Sequence, residues 1–243
     1  MKKPHIKYII ILLVGLTAFV IYLFNDTKED VLDIAASDET EDRIEDVPKN
    51  KTSITVPKST LPMNIKLLPN ANSEIRVEPT THIVLHFSSS ALTKPHDPYQ
   101  VDDAYNVFKE YGVSAHYMID REGVIHQLVF EDRVAYHAGE GTIKGYHSYE
   151  KGLNHYSIGI EILAIGTREE MLPIIDEANF NQIDPSLLGY TEAQYITLNT
   201  FIDDIISRNP GIQKDRLNIV GHDEYTDRKT DPGSLFEWNK ISF

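Results

Sequence analysis

No stretch limits the choice of fold as tightly as Ser157–Leu163, which reads Ser-Ile-Gly-Ile-Glu-Ile-Leu. It lies in a strand expected over residues 156–163, where alternation sends Ile158, Ile160 and Ile162 to one face, and Gly159 and Glu161 to the other. The isoleucine face demands a second apolar layer. A carboxylate in so apolar a strand is costly unless it is satisfied or its face is wet. Read alone, Glu161 fits either case: an outward glutamate on a solvated sheet face, or a functional carboxylate with a glycine beside it.

The neighbouring pattern supplies the surroundings of such a strand. Residues 81–87, Thr-His-Ile-Val-Leu-His-Phe, form a strand by their β-branched and apolar content, and three serines end it. Ala104, Val107, Phe108 and Tyr111 recur at helical spacing, so residues 101–111 form a helix that Gly112 stops. Residues 114–120 and 124–129 are strands around Asp120-Arg121-Glu122-Gly123, a hairpin turn with glycine at the left-handed position. Thr191, with Gln194 three residues on, makes a capping box. Leu198, Phe201, Ile202, Ile205 and Ile206 continue that helix until Asn209-Pro210-Gly211 ends it, and residues 217–220 return as a strand. Strands alternating with helices, plus one hairpin, give an α/β fold: a central mixed β-sheet of about five or six strands flanked by helices. The domain is expected at residues 62–243.

Two segments of different character precede it. Residues 8–24 are uncharged and apolar behind three lysines, close to the lower limit of about 17 residues for a membrane span. No small-x-small cleavage site follows directly. Residues 1–24 are therefore expected to be an uncleaved signal anchor, a transmembrane helix with its N-terminus inside. Residues 25–61 are acidic, polar and poor in aromatics, as a disordered stalk would be. This places the domain at the cell membrane, on the extracytoplasmic cell-wall side, or secretes it if the segment is cleaved. A net charge of −14 argues against nucleic acid as a partner, because phosphate binding needs a basic surface. The chain has no cysteine, which removes disulfides, thiolate nucleophiles and cysteine zinc sites together.

His86 and His222 each stand where a strand ends, and strand ends are where sites collect in α/β folds. His222 opens the stretch 221–236, which turns sharply at Asp231-Pro232-Gly233. Imidazole and carboxylate suit zinc, and the same set suits non-haem iron. His86, His222 and Asp231 are thus candidate metal ligands, although any one histidine is equally a hydrogen-bonded surface residue. Lys229 lies two residues before Asp231. A metal would repel it, so it makes sense where an anion develops; otherwise it is a surface lysine in a polar loop.

Five pieces in order carry a family resemblance: Ile83-Val84-Leu85-His86; residues 114–123, Ser-Ala-His-Tyr-Met-Ile-Asp-Arg-Glu-Gly; Tyr136-His137-Ala138-Gly139; Ser157-Ile158-Gly159-Ile160-Glu161; and Gly221-His222-Asp223 with Arg228-Lys229-Thr230-Asp231-Pro232-Gly233. From about residue 66 to 243 the chain resembles the zinc-dependent N-acetylmuramoyl-L-alanine amidases of the type-2 amidase group. Their fold is shared with phage lysozyme-like amidases and peptidoglycan recognition proteins.

The resemblance implies one zinc ion per chain, held by His86, His222 and Asp231, with Glu161 and Lys229 as catalytic residues. His137 lies in the motif that walls the cleft, and a substrate contact is expected of it. Tyr136 stands where tryptophan is common, and residues 164–189 are longer than the family minimum. Ser114, His116 and Tyr117 read as structural support. The implied partner is peptidoglycan or muropeptides, cut between the lactyl group of N-acetylmuramic acid and the L-alanine of the stem peptide. Glu161 would move the water's proton to the leaving amine, and Lys229 would face the oxyanion. The alternative from another class is a recognition module that binds peptidoglycan without cutting it. Such proteins typically lose a metal ligand, and this chain keeps all three. A zinc endopeptidase has less support, since the chain has no His-Glu-x-x-His run.

Overall fold

A computed structural model of the chain describes residues 55–143 and 152–243. The strands are β1 (Asn64–Ile65), β2 (Ser73–Ile75), β3 (His82–Ser88), β4 (Tyr117–Ile119), β5 (Ile125–Gln127), β6 (Arg133–Ala135), β7 (Ser157–Leu163) and β8 (Ile219–Gly221). The helices are α1 (Val101–Tyr111), α2 (Arg168–Met171), α3 (Glu177–Phe180), α4 (Glu192–Arg208) and α5 (His222–Tyr225). Six strands form one sheet in the order β1-β5-β4-β7-β3-β8, and β2 pairs with β6 apart from it. β4, β7, β3 and β8 run parallel, β5 runs antiparallel to β4, and β1 runs parallel to β5. The sheet is mixed, as expected.

β7 is buried along its whole length. On one face Ile158, Ile160 and Ile162 meet Ile83 and Leu85 of β3, under Leu198, Phe201, Ile202 and Ile205 of α4. Phe201 stands edge-on to Tyr117, with ring centroids 4.6 Å apart. Each such side chain taken from water contributes roughly 1.5–3 kcal/mol, which makes α4 the apolar layer that the isoleucines require. Thr191 caps α4 through the expected box with Gln194. Ala104 and Phe108 of α1 pack with Met118 and Leu163 in a second cluster. Leu61 and Met63 already pack on the first core.

The hairpin strands are shorter than residues 114–120 and 124–129. Ser114 N–H leaves the ladder for Tyr136 O at 3.0 Å, and Leu128 N–H turns back onto His116 O at 2.8 Å. β1, β2 and β6 have two or three residues each, too few to show a period. The segment 164–189 holds α2 and α3, whose N-termini are capped by Thr167 and Asp176.

A buried charge ties α4 to the loop before β6. The Glu131 carboxylate accepts from Tyr117 Oη at 2.6 Å, Arg208 Nη1 at 2.7 Å and Asn209 Nδ2 at 2.9 Å. The Arg208 side chain is 8% exposed and keeps a second partner in Asp204 at 2.7 Å. Glu131→Ala is expected to destabilise the fold by about 3 kcal/mol, because it leaves a buried guanidinium half-paired. Denaturant unfolding checks this through a lower midpoint at unchanged slope.

The single-pass membrane placement needs correction. No helix among the described residues is long and apolar enough to cross a membrane. The 17-residue α4 carries Asp203, Asp204 and Arg208 and spends its apolar side on the sheet. The span expected at residues 8–24 and the stalk before residue 55 lie outside the described residues.

Candidate metal centre

Backbone pairing brings the sheet's site residues together. β3 and β7 are in register with His86 opposite Glu161. β8 pairs with β3 so that Gly221 lies opposite Leu85, and the chain turns into α5 at His222. Asp231 arrives on the following loop, where Asp223 N–H donates to Asp231 O at 2.8 Å and Tyr190 Oη donates to Pro232 O at 2.7 Å.

Three donor atoms converge. His86 Nδ1 lies 2.8 Å from Asp231 Oδ2 and 3.1 Å from His222 Nδ1, and His222 Nδ1 lies 3.1 Å from Asp231 Oδ2. Tetrahedral zinc with nitrogen and oxygen ligands sets its donors about 3.3 Å apart. The triangle is smaller than one face of that polyhedron by about 0.2 Å on two sides and about 0.5 Å on the third.

The ring protons agree with this. His222 Nε2 donates to Ala138 O at 3.0 Å, which leaves Nδ1 with its lone pair. His86 Nε2, 3.0 Å from His137 Nδ1, can donate there and leave its own Nδ1 bare. Burial holds the His86 imidazole down at about 4, so it is neutral at pH 7. Burial opposes ionisation of Asp231, yet the adjoining His222 and His86 hold it well below the usual carboxylate range. Two lone pairs and a carboxylate aimed at one point are a cation's donor set, and His86, His222 and Asp231 form a group that could hold a metal.

Glu161 is 8% exposed, so its sheet face is not solvated. Burial, then the Asp231 carboxylate, pushes its pKa up to about 8, while the Ser88 hydrogen bond and the Lys229 charge pull it down. Ser88 Oγ donates to Glu161 Oε2 at 2.7 Å. Lys229 is half-buried, and its charge is felt at both Glu161 and His86.

His137 stands beside His86. Its Nδ1 faces His86, its Nε2 lies 3.2 Å from Ser157 Oγ, and that hydroxyl donates to Leu153 O at 2.7 Å. The hydrogen bonds can thus run one way, from His86 to a backbone carbonyl, with both His137 nitrogens engaged inside the protein. Gly159 makes room for the ring: a Cβ there would lie 2.5 Å from His137 Cγ. Partners behind a metal-bound histidine are worth about 10–100-fold in metal affinity. Gly159→Ala is expected to push the ring off His86 and lower zinc affinity by that factor in competition with a chromophoric chelator. Wild-type affinity in this variant would remove His137 from the support of the site. His116, read as structural support, accepts Gly159 N–H on Nδ1 at 3.0 Å.

Ser88 and Ser157 are not among the residues singled out from sequence. A signal existed, since both share the alternating face of His86 and Glu161. Tyr190, which holds the Asp231 loop from beyond the segment 164–189, has no local signal.

The family model described as N-acetylmuramoyl-L-alanine amidase (Amidase_2) matches residues 76–234, which take in all of these site residues. The chain belongs to this amidase family. Within the family it is similar to the 1,6-anhydro-N-acetylmuramyl-L-alanine amidase AmpD of Salmonella typhimurium, 36% identical over 143 residues that cover 57% of this chain and 62% of that protein. The AmpD of Escherichia coli is 38% identical over 130 residues, covering 53% of this chain and 56% of that protein. The chain therefore spans about three-fifths of the length of the curated relatives it matches. A crystal structure of a selenomethionine AmpD derivative shares the fold, with a TM-score of 0.52 and 27% identity, over 77% of this chain and 97% of that one. The similarity to AmpD, with no spanning helix among the described residues, overturns the expected cell-membrane location.

Proposed function

We propose that the chain is a zinc-dependent N-acetylmuramoyl-L-alanine amidase whose catalytic domain is residues 62–243. Its reaction is hydrolysis of the amide between the lactyl group of N-acetylmuramic acid and the L-alanine of a stem peptide. The observation that supports this reading is the register pairing of His86 with Glu161, which sets a buried carboxyl group beside three donor atoms that could hold a metal. The AmpD relatives make 1,6-anhydro-muropeptides the first substrate class to test.

His86 Nδ1, His222 Nδ1 and Asp231 Oδ2 would hold the zinc. Bound there, zinc supplies Lewis-acid polarisation and a water whose pKa is lowered toward about 7. Glu161 takes the proton of the attacking water and returns it to the leaving nitrogen. Ser88 fixes the carboxylate by Oε2, so Oε1 is the oxygen that handles the proton. The balance closes: an O–H bond of water breaks, a C–O bond forms, and the C–N bond breaks as the amine gains the proton. Lys229 faces the negative oxygen that develops at the carbonyl, a contact typically worth roughly 3–4 kcal/mol. His137 and Ser157 hold His86 in its tautomer from behind.

Incubation of the zinc-loaded chain with 1,6-anhydro-muropeptides, followed by mass spectrometry, tests the reading. The expected products are the free anhydro-muramyl sugar and an intact stem peptide beginning with L-alanine. Cleavage inside the peptide would make the protein an endopeptidase. Saturable binding without product would make it a recognition module. Either result overturns the proposal.

A further inference from the structure

The segment 164–189 takes no part in the chemistry above, yet one of its side chains reaches the loop that carries Lys229 and Asp231. Glu170, on α2, accepts Ser234 N–H on Oε1 at 2.7 Å. Its Oε2 accepts Thr167 N–H at 2.7 Å. Thr230 Oγ1 donates to the Glu170 backbone carbonyl at 3.4 Å. One residue thus grips the loop on both sides of Asp231 and Pro232. The approach is close enough to demand glycine. A Cβ on Gly233, where φ is +76°, would lie 2.8 Å from Glu170 Oε2, and one on Gly166 would lie 2.6 Å from the same atom.

We propose that Glu170 is a positioning residue of the metal centre, the clamp by which the segment 164–189 sets where Asp231 and Lys229 stand. This rests on reading His86, His222 and Asp231 as the zinc site. Glu170 bonds to backbone and not to the donor atoms, so it acts through the loop. A carboxylate suits the task because each of its oxygens faces an N–H donor. Such charge-assisted hydrogen bonds are roughly twice as strong as neutral ones. Glutamine has the same shape but turns one acceptor into a donor, so an NH2 group meets an N–H.

The test is Glu170→Gln in the full chain, with zinc affinity measured by chelator competition in the absence of substrate, and kcat and KM measured on muropeptide. Zinc affinity is expected to fall about tenfold, and kcat to fall while KM changes little. Glu177→Gln, which alters only an exposed pair with Arg168 on the same segment, is expected to keep wild-type affinity. Glu170→Asp keeps both acceptors but draws them back, and is expected to fall between wild type and Glu170→Gln. It also provides the reading if Glu170→Gln does not fold. Wild-type zinc affinity and kcat in the folded Glu170 variants would overturn the clamp. A wild-type chain that binds zinc but releases no sugar ends the amidase reading and leaves the clamp to be judged on affinity. A wild-type chain that binds no zinc ends both.

Discussion

Glu161→Gln is expected to lower muropeptide hydrolysis by about 1,000-fold while zinc stays bound. The variant keeps the shape of the side chain beside Ser88, and it can neither take nor return a proton. Positioned acid–base catalysis contributes roughly 100- to 10,000-fold, and in the proposed mechanism one group serves both transfers. Turnover measured alongside metal content separates this from loss of the site. Undiminished turnover would take Glu161 out of the mechanism.

The same substitution has a second expected effect, in the metal-free protein. Burial raises the folded Glu161 pKa to about 8, from an ordinary value of 4.5. Between those values the folded chain keeps a proton that the unfolded chain has lost. The contribution to stability is therefore complete below about pH 4.5 and disappears as pH rises through 8. In the presence of chelator, wild type is expected to lose more stability than Glu161→Gln between pH 5 and 8. Parallel unfolding midpoints for the two proteins would contradict this.

Asp231→Asn is the second large effect. Of the three candidate donors it removes the carboxylate and leaves the two imidazoles. Outer partners of a metal site are worth about 10–100-fold in affinity, so losing a direct ligand is expected to exceed 100-fold. Hydrolysis is expected to fall with it. Metal analysis after dialysis against a weak chelator provides the check. A variant that retains one zinc per chain would mean that Asp231 is not a ligand. Because asparagine is nearly isosteric and Asp223 N–H bonds to the Asp231 backbone, the loop itself is expected to persist.

The parts of the fold that sequence reveals are those with a repeating physical demand. β7 and β3 are buried and long enough for alternation to declare their two faces, and α4 carries both a capping box and an apolar stripe. The two- and three-residue strands have no such signal, because pairing with neighbours creates them. In the site, His86, Glu161 and His222 are legible as polar residues within or closing apolar strands. The place of His137 is not, because its ring is oriented by His86 and Ser157, which are distant in sequence. Glu170 hides behind a simpler explanation. Thr167 and Glu170 form a capping box at the start of α2, which by itself accounts for the carboxylate. Only the fold brings Ser234 to the other oxygen of the same carboxylate.

The pairing of His86 with Glu161 has a consequence for how such a domain tolerates change. Neighbouring strands lie about 4.8 Å apart whatever side chains they bear. The spacing of His86 and Glu161 is therefore a property of two hydrogen-bonded backbones. New segments can grow from the strand ends, as 164–189 does, without altering that interval. The loop bearing Asp231 has no such ruler and must be tethered from outside. The centre is thus half fixed gauge and half adjustable jaw, and extra sequence can tune the jaw alone.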